Sequence, residues 1–191
     1  MSLSITGDAT ADQLLTDDPF ALLVGMLLDQ QIAMEAAFSG PAKILERVGT
    51  LDPAEIATQD PEGFEAVFRQ TPAVHRYPGS MAGRVQTLAA AVRDEWGGDA
   101  AAIWTQGSPD GGEVLKRLKA LPGFGEQKAK IFLALLGKQY GFDGAGWREA
   151  AGDYGQPGHR SVADITSPES LAKVREFKRE QKAAAKAAKA R

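Results

Sequence analysis

The residues of this chain best suited to chemistry form one run, Leu121-Pro122-Gly123-Phe124-Gly125, followed at once by Glu126-Gln127-Lys128-Ala129-Lys130. Helical patterns over 113–120 and 127–140 flank the run, and two glycines after a proline predict a tight hairpin in which a Cβ would obstruct the backbone. The amides that begin the second helix have no preceding turn to bond, so they attract anions, and Lys128 and Lys130 add cations. The run therefore predicts a hairpin that binds a nucleic-acid phosphate, although any αα-hairpin needs Gly and Pro in its turn.

The elements that position this hairpin are predicted to be helices. No run of alternating β-branched residues occurs, so we expect an all-α fold of roughly ten short helices joined by short turns. Asp18-Pro19 begins the strongest helix, with Asp18 as its N-cap. Residues 20–28 are apolar on every face, which indicates a buried helix. Polar side chains emerge at its end, in Asp29-Gln30-Gln31.

Two later segments differ in composition from the rest. Residues 141–161 hold six glycines, which predicts a long loop, interrupted by a one-turn helix at 147–151; such loops are usually functional or mobile. Residues 175–191 carry seven basic side chains against two acidic ones, a net charge of +5, so the first 174 residues carry −8. We expect a main domain over 1–174 and a basic helical tail over 175–191. Without an apolar stripe the tail should fray, and its charge suggests non-specific phosphate contact.

The composition excludes several classes of site. The chain has no cysteine, so it forms no disulfide and offers neither a thiolate nucleophile nor Cys ligands for zinc or an iron–sulfur cluster. His75 and His159 have no partner at metal-ligand spacing, so packing or surface roles are predicted. The longest apolar run is too short to span a bilayer and the N-terminus does not read as a signal peptide. We therefore expect no membrane association and a cytoplasmic protein, nucleoid-associated if bacterial.

The hairpin and the apolar helices on both sides of it closely resemble the helix-hairpin-helix of the HhH-GPD superfamily of base-excision DNA glycosylases. The resemblance covers residues 19–141 and is clearest at the hairpin. It implies a two-lobed helical fold, duplex DNA as partner, a monomer, and monofunctional hydrolysis of the N-glycosidic bond of a damaged or mispaired base. A non-catalytic DNA-binding module on the same fold is the alternative, and an all-α interaction protein with a merely structural hairpin is a third.

The resemblance also implies which residues contact DNA. The backbone would be held by the hairpin and the first turn after it, through Gly123, Phe124, Gly125, Gln127, Lys128 and Lys130. The family's helix that ends in a glutamine near the lesion matches the helix ending at Gln31, with Gln30 as its neighbour. Tyr77 lies in a loop and could stack on an unpaired base. The family's hairpin often holds Na or K on its carbonyls, here those of Leu121 and Gly123, and no other cofactor is expected.

The catalytic residues match the family less well. The position of the family's imine-forming lysine is Gln127, whose amide cannot form an imine, so lyase activity by that route is not expected. Lys128 is one residue on, about 100° round the helix, and is expected to face phosphate.

Three aspartates are candidates for the family's catalytic carboxylate. Direct register places Ala145 there, with Asp143 two residues before it. If residues 141–160 are an insertion, Asp164 resembles the family's aspartate, and we predict Asp164 as catalytic with Asp143 as the alternative. Asp153 is a third candidate. Asp164 has an equally good structural interpretation, as a residue on the approach to the helix that Ser167-Pro168 begins.

Overall fold

The computed structural model describes residues 2–191, and this part of the chain contains helices, turns and loops but no strand. The prediction of an all-α fold is confirmed. None of the helices in 2–191 has the length and apolar character needed to cross a bilayer. The α-helices, in chain order, are α1 Ala9–Asp17, α2 Pro19–Leu28, α3 Met34–Val48, α4 Pro53–Thr58, α5 Pro61–Arg69, α6 Pro78–Trp96, α7 Ala102–Thr105, α8 Gly111–Lys119, α9 Glu126–Gln139, α10 Trp147–Ala150 and α11 Pro168–Lys189.

Helices begin at Asp-Pro pairs and end at glycines, as the sequence indicates. Asp18, Asp52 and Asp60 each precede a proline at the first helical position, and each carboxylate accepts backbone N–H groups of the helix it begins. Gly49 and Gly97 end α3 and α6 in the left-handed conformation, with φ of 87° and 62°. Each aspartate cap stabilises its helix by about 1 kcal/mol, because it satisfies donors that the helix leaves unpaired.

The core surrounds two apolar helices, α2 and α9. Phe20 and residues 21–28 of α2 are buried all round, as the sequence predicted, and α3 packs along them. In α9 the buried stretch is 131–136. Phe132 in this stretch packs against Trp104, with ring centroids 5.8 Å apart, and edge-on against Phe124 of the hairpin at 6.0 Å. Burying a phenylalanine stabilises the fold by about 1.5–3 kcal/mol, so Phe124 anchors the hairpin to the core.

The glycine-rich segment after α9 packs against the body. It contains the predicted one-turn helix α10 and the 3₁₀ turn Gly152–Gly155, and a second 3₁₀ turn, Val162–Asp164, follows it directly. Trp147 lies so close to Gly137 of α9 and Gly111 of α8 that a Cβ on either glycine would overlap it. These contacts give the segment a defined path that its composition did not indicate.

Helix α11 is continuous to Lys189, where the composition predicted fraying. Its first half docks on the body: Val174 is fully buried and Leu171 partly so. Arg175 forms an ion pair with Glu35 of α3. Residues 179–191 are exposed, so docking extends only to about Lys178 and the last three turns rest on the helix propensity of Ala and Lys.

Candidate nucleic-acid interface and cavity

The hairpin is a tight turn in which only one of its two glycines is sterically required. The Phe124 N–H donates to the Leu121 carbonyl at 3.1 Å, which closes the turn. Gly123 has φ +83°, and a Cβ there would overlap the Leu27 side chain at the end of α2. Gly125 has an ordinary φ of −73° and open space where its Cβ would lie. The prediction that a Cβ would obstruct the hairpin is therefore correct for Gly123 and wrong for Gly125.

The N-terminus of α9 is open to an external acceptor. No side chain in the described part of the chain caps it, and the N–H groups of Glu126, Gln127 and Lys128 have no protein acceptor. Gly125, Glu126 and Gln127 are exposed. The side chain of Phe124 is buried, so of this residue only the backbone is available to a ligand.

The two lysines on the first turns of α9 point to different places. Lys130 pairs with Glu126 at 3.5 Å. The Lys128 ammonium turns inward and donates to the Leu27 carbonyl at 3.0 Å, because the end of α2 leaves carbonyls without helical partners. Burial lowers the pKa of Lys128 to about 8, with Asp29 opposing the shift and Arg84 and Lys178 adding to it. Lys128 thus lines the cavity with its ammonium on the Leu27 carbonyl, and its contact with a phosphate stays a prediction.

Asp29, the residue after α2, faces Lys128 and α11. Its side chain is 9% exposed, and its Oδ2 lies 3.8 Å from Lys178 Nζ. Burial raises the pKa of the Asp29 carboxyl, and the charges of Lys178 and Lys128 oppose the shift. Sequence reasoning did not select Asp29. The available signal was its position, as the first polar residue after a helix that is apolar on every face.

A cavity of about 590 Å³ opens beside Asp29, Lys128 and Lys178. Three elements supply most of its wall: Asp29 from the end of α2, the start of α9, and the docked half of α11. Its charged lining consists of four cations and two carboxylates, namely Lys128, Lys130, Arg160, Lys178, Asp29 and Asp153. The Gln127 amide donates to the Tyr154 hydroxyl at 2.9 Å on its rim, so Gln127 contacts the loop as well as the exposed end of α9.

The predicted base-contact residues meet at the end of α2. Gln30 donates from its amide to the Leu27 carbonyl at 3.0 Å and accepts from Arg84 at 3.2 Å. Gln31 is exposed and has φ +60°, an uncommon conformation for a residue with a side chain. Tyr77 is 42% exposed, with the Arg76 guanidinium 5.5 Å from its ring centroid.

A buried histidine links these residues. His75 Nδ1 accepts the Tyr77 N–H at 3.0 Å, so Nε2 carries the proton and donates to the carbonyls of Leu28 at 3.1 Å and Gln30 at 3.0 Å. The packing role predicted for His75 is confirmed. The exposed ring of Tyr77 is thereby held beside the end of α2, which in turn contacts the hairpin through Leu27.

The aspartates selected from the sequence lie elsewhere. Asp164 is 7% exposed: one oxygen is 2.7 Å from Lys138 Nζ, and the other accepts the N–H groups of Arg160 and Ser161. Neither Asp164 nor the exposed Asp143 lines the cavity, whereas Asp153 does. Catalysis by Asp164 stays a prediction, and the geometry favours a structural role, because Asp164 completes the capping box of the 3₁₀ turn that follows Ser161.

Few groups near the hairpin and the cavity are arranged to bind a metal ion. No group of three His, Asp or Glu side chains within residues 2–191 is arranged to hold a metal. The Leu121 carbonyl that could bind Na or K already accepts the Phe124 N–H, although a carbonyl has a second lone pair. A monovalent cation at the hairpin stays a prediction.

The chain matches no protein-family model, no curated protein and no solved structure. Its function is therefore inferred from the geometry of the hairpin and the cavity.

Proposed function

We propose that this protein binds duplex DNA through the hairpin, with the two-lobed helical fold of the HhH-GPD glycosylases, and acts in base-excision repair. The observation that carries the proposal is that the uncapped N-terminus of α9 and the 590 Å³ cavity adjoin each other and share Gln127 and Lys128. A phosphate at the amides of α9 places the neighbouring nucleotides beside the cavity mouth. The cavity has the size of an ordinary small-molecule site, enough for an extruded base.

The surroundings of the hairpin fit this role. Tyr77 offers a face for stacking, and Gln31 is exposed just after α2. Stacking on an aromatic ring stabilises an unpaired base by about 1–3 kcal/mol. Within the cavity, Gln127 and Tyr154 carry groups that hydrogen-bond to base edges. The reaction we propose is hydrolysis of the N-glycosidic bond.

A second candidate function has an observation in its favour. The carboxylate of Asp164 is occupied by Lys138 and two amides, and Asp143 is exposed outside the cavity. A protein that kept the hairpin and the fold without using either aspartate would be a non-catalytic DNA-binding module. It would bind the same duplexes and release no base.

Phosphate binding at the hairpin is tested with Gly125→Asp. An aspartate there caps α9 and places a negative charge where the phosphate would lie, so helix stability should be kept or raised. We expect affinity for a duplex to fall at least tenfold, measured by fluorescence anisotropy, with a melting temperature equal to or above that of the wild type. Gly125→Ser introduces a neutral cap and should lower duplex affinity less than Gly125→Asp does.

The matched control is Gly112→Asp, which adds the same charge to the first turn of α8, where the new Cβ meets only ordinary contacts. It should leave affinity within about twofold of the wild type, since a distant exposed charge is largely screened. Equal affinity of Gly125→Asp and the wild type would refute the phosphate site and leave the hairpin as a structural turn.

Excision separates the two candidate functions. Duplexes carrying uracil, alkylated purines, oxidised guanine or mismatches are incubated with the protein, and abasic sites are detected by alkaline strand cleavage. Release of any one base supports the glycosylase. Binding without release from any duplex favours the non-catalytic module.

A further inference from the structure

Asp29 is a buried carboxylate whose one ion pair, with Lys178, is long. Its side chain is nine-tenths buried, and its nearest cation, Lys178, lies 3.8 Å away, beyond the 2.7–3.2 Å of a close hydrogen bond. Buried carboxylates in proteins are usually paired at hydrogen-bond distance, because desolvating an unpaired charge costs several kcal/mol. Asp29 faces the cavity instead.

Lys128 does not form a close ion pair with Asp29 either. It lines the cavity with Asp29, but its ammonium donates to the Leu27 carbonyl rather than to the Asp29 carboxylate. One N–H of the ammonium is used in this way, and two remain. The fold thus presents an acid and a base side by side at one cavity wall without joining them.

We propose that Asp29 is the base that takes a proton from the attacking water in this cavity and Lys128 the acid that protonates the departing nucleobase. The inference rests on the proposed function, because it needs a nucleotide in the cavity. It assigns the catalytic roles to two residues whose sequence context did not mark them for these roles.

The step is balanced in atoms and charge. A water oxygen bonds to the sugar C1′ while the C1′–N bond breaks, and the bonding pair leaves with the base nitrogen. The Lys128 ammonium gives that nitrogen a proton, and the Asp29 carboxylate accepts a proton from the water. Return of that proton from Asp29 to the Lys128 amine restores both groups. Lys128 loses its positive charge as the sugar gains one, which avoids repulsion in the transition state.

The protonation behaviour of the pair is consistent with these roles. Burial lowers the pKa of Lys128 to about 8, which makes its ammonium a stronger acid than that of an exposed lysine, yet keeps it mostly charged at neutral pH. Burial also raises the pKa of Asp29, which makes its carboxylate a stronger base. The other charges that act on the pair are those of Lys178 and Arg84.

The competing explanation is a structural polar cluster that ties α2, α9 and α11 together. If the cluster is only structural, removing a charge lowers stability, duplex affinity and excision together. If Asp29 and Lys128 are the base and the acid, only the excision rate falls.

The test uses Asp29→Asn and Lys128→Arg in the full chain. Asparagine keeps the shape of Asp29 without its basicity, and arginine keeps the charge of Lys128 but cannot release a proton near neutral pH. We expect each to lower the single-turnover excision rate at least about 100-fold, with duplex affinity and melting temperature near those of the wild type. The controls are Asp17→Asn and Lys173→Arg, which make the same changes at exposed positions.

The outcomes separate this inference from the proposed function. Excision by Asp29→Asn at the wild-type rate overturns the inference and leaves the glycosylase standing. If Asp29→Asn fails to fold, Lys128→Arg decides, and an unchanged rate in it overturns the acid role and the pair with it. A wild type that binds duplexes but excises no base overturns both the inference and the enzymatic part of the proposal.

Discussion

Gly123 and Gly125, two positions apart, have different physical roles in the hairpin. Gly123 has a left-handed backbone and lies against the Leu27 side chain, so the fold requires it. Gly125 is under no such constraint, and its lack of a side chain leaves the amides of α9 accessible. One glycine serves folding and the other is available for function.

Gly123→Ala should therefore destabilise the protein. The new Cβ overlaps Leu27 and the residue is held at φ +83°, which together should cost about 2–4 kcal/mol of unfolding free energy. Urea unfolding followed by circular dichroism measures the decrease. Gly125→Ser is the control and should match or exceed the wild-type stability. Equal stability of Gly123→Ala and the wild type would contradict the turn geometry.

Lys128 should also make stability depend on pH. Its pKa is about 8 in the fold and about 10.5 when unfolded. Between these values the unfolded chain binds more protons, so stability should rise with pH. The pKa of Tyr140, raised by burial to about 12, acts in the opposite direction above about pH 10, where an unfolded tyrosine begins to lose its proton.

The measurement is urea unfolding between about pH 7.5 and 9.5, below the range where Tyr140 contributes. Lys128→Met should remove most of the rise in unfolding free energy with pH, and Lys173→Met, at an exposed position, should retain it. Parallel curves for the wild type and Lys128→Met would show that Lys128 titrates as an ordinary lysine.

From residue 176 onward, lysines and glutamates lie on opposite sides of α11. At 100° per residue, Lys178, Lys182, Lys186 and Lys189 fall within about 80° of arc, while Glu176 and Glu180 lie on the opposite side. Lys178 lines the cavity, so the stripe begins there and extends about 16 Å outward along the helix. The spacing suits a nucleic-acid backbone, whose phosphates repeat along one face.

The arrangement of these lysines can be tested apart from their number. Moving each exposed lysine by one position turns it about 100° away while keeping composition and net charge. We expect weaker duplex binding and a shallower dependence of log K on log salt, since fewer phosphates are neutralised. An affinity equal to that of the wild type would show that only the total charge matters. The variant combines Lys182→Ala, Ala183→Lys, Lys186→Ala, Ala187→Lys, Lys189→Ala and Ala190→Lys.

The net charge is unevenly distributed over the molecule. The first 174 residues carry a net charge of −8 and the last 17 carry +5. The positive tail is attached beside the cavity, because Val174 and Arg175 dock α11 on the body. The positive tail therefore begins at the cavity, where Lys178 forms part of the wall.

A chain ending at Lys178 should fold normally and bind DNA less tightly. It keeps Val174 and the contacts of Arg175 and Lys178, and loses five cations and one anion from an exposed helix. The melting temperature should change little, and the slope of log K against log salt should become shallower by about 0.9 for each phosphate that the shortened chain no longer neutralises. An identical slope would show that the tail does not touch DNA.

Local rules predicted much of this fold. The aspartate caps, the glycine stops, the buried α2 and the hairpin depend on residues within about one helical turn of each other, and such interactions can be recognised in sequence. The all-α class followed from the same signals. The hairpin was located for the same reason.

The cavity depended on packing between distant elements. Lys128 and the Leu27 carbonyl it contacts are 101 residues apart, and Asp164 meets Lys138 across 26. No periodicity encodes such contacts, because they follow from how α2, α9 and α11 come together. Packing places Lys128, an expected phosphate ligand, on the cavity wall. It brings to the same wall Asp29, which the sequence distinguishes only as the first polar residue after α2.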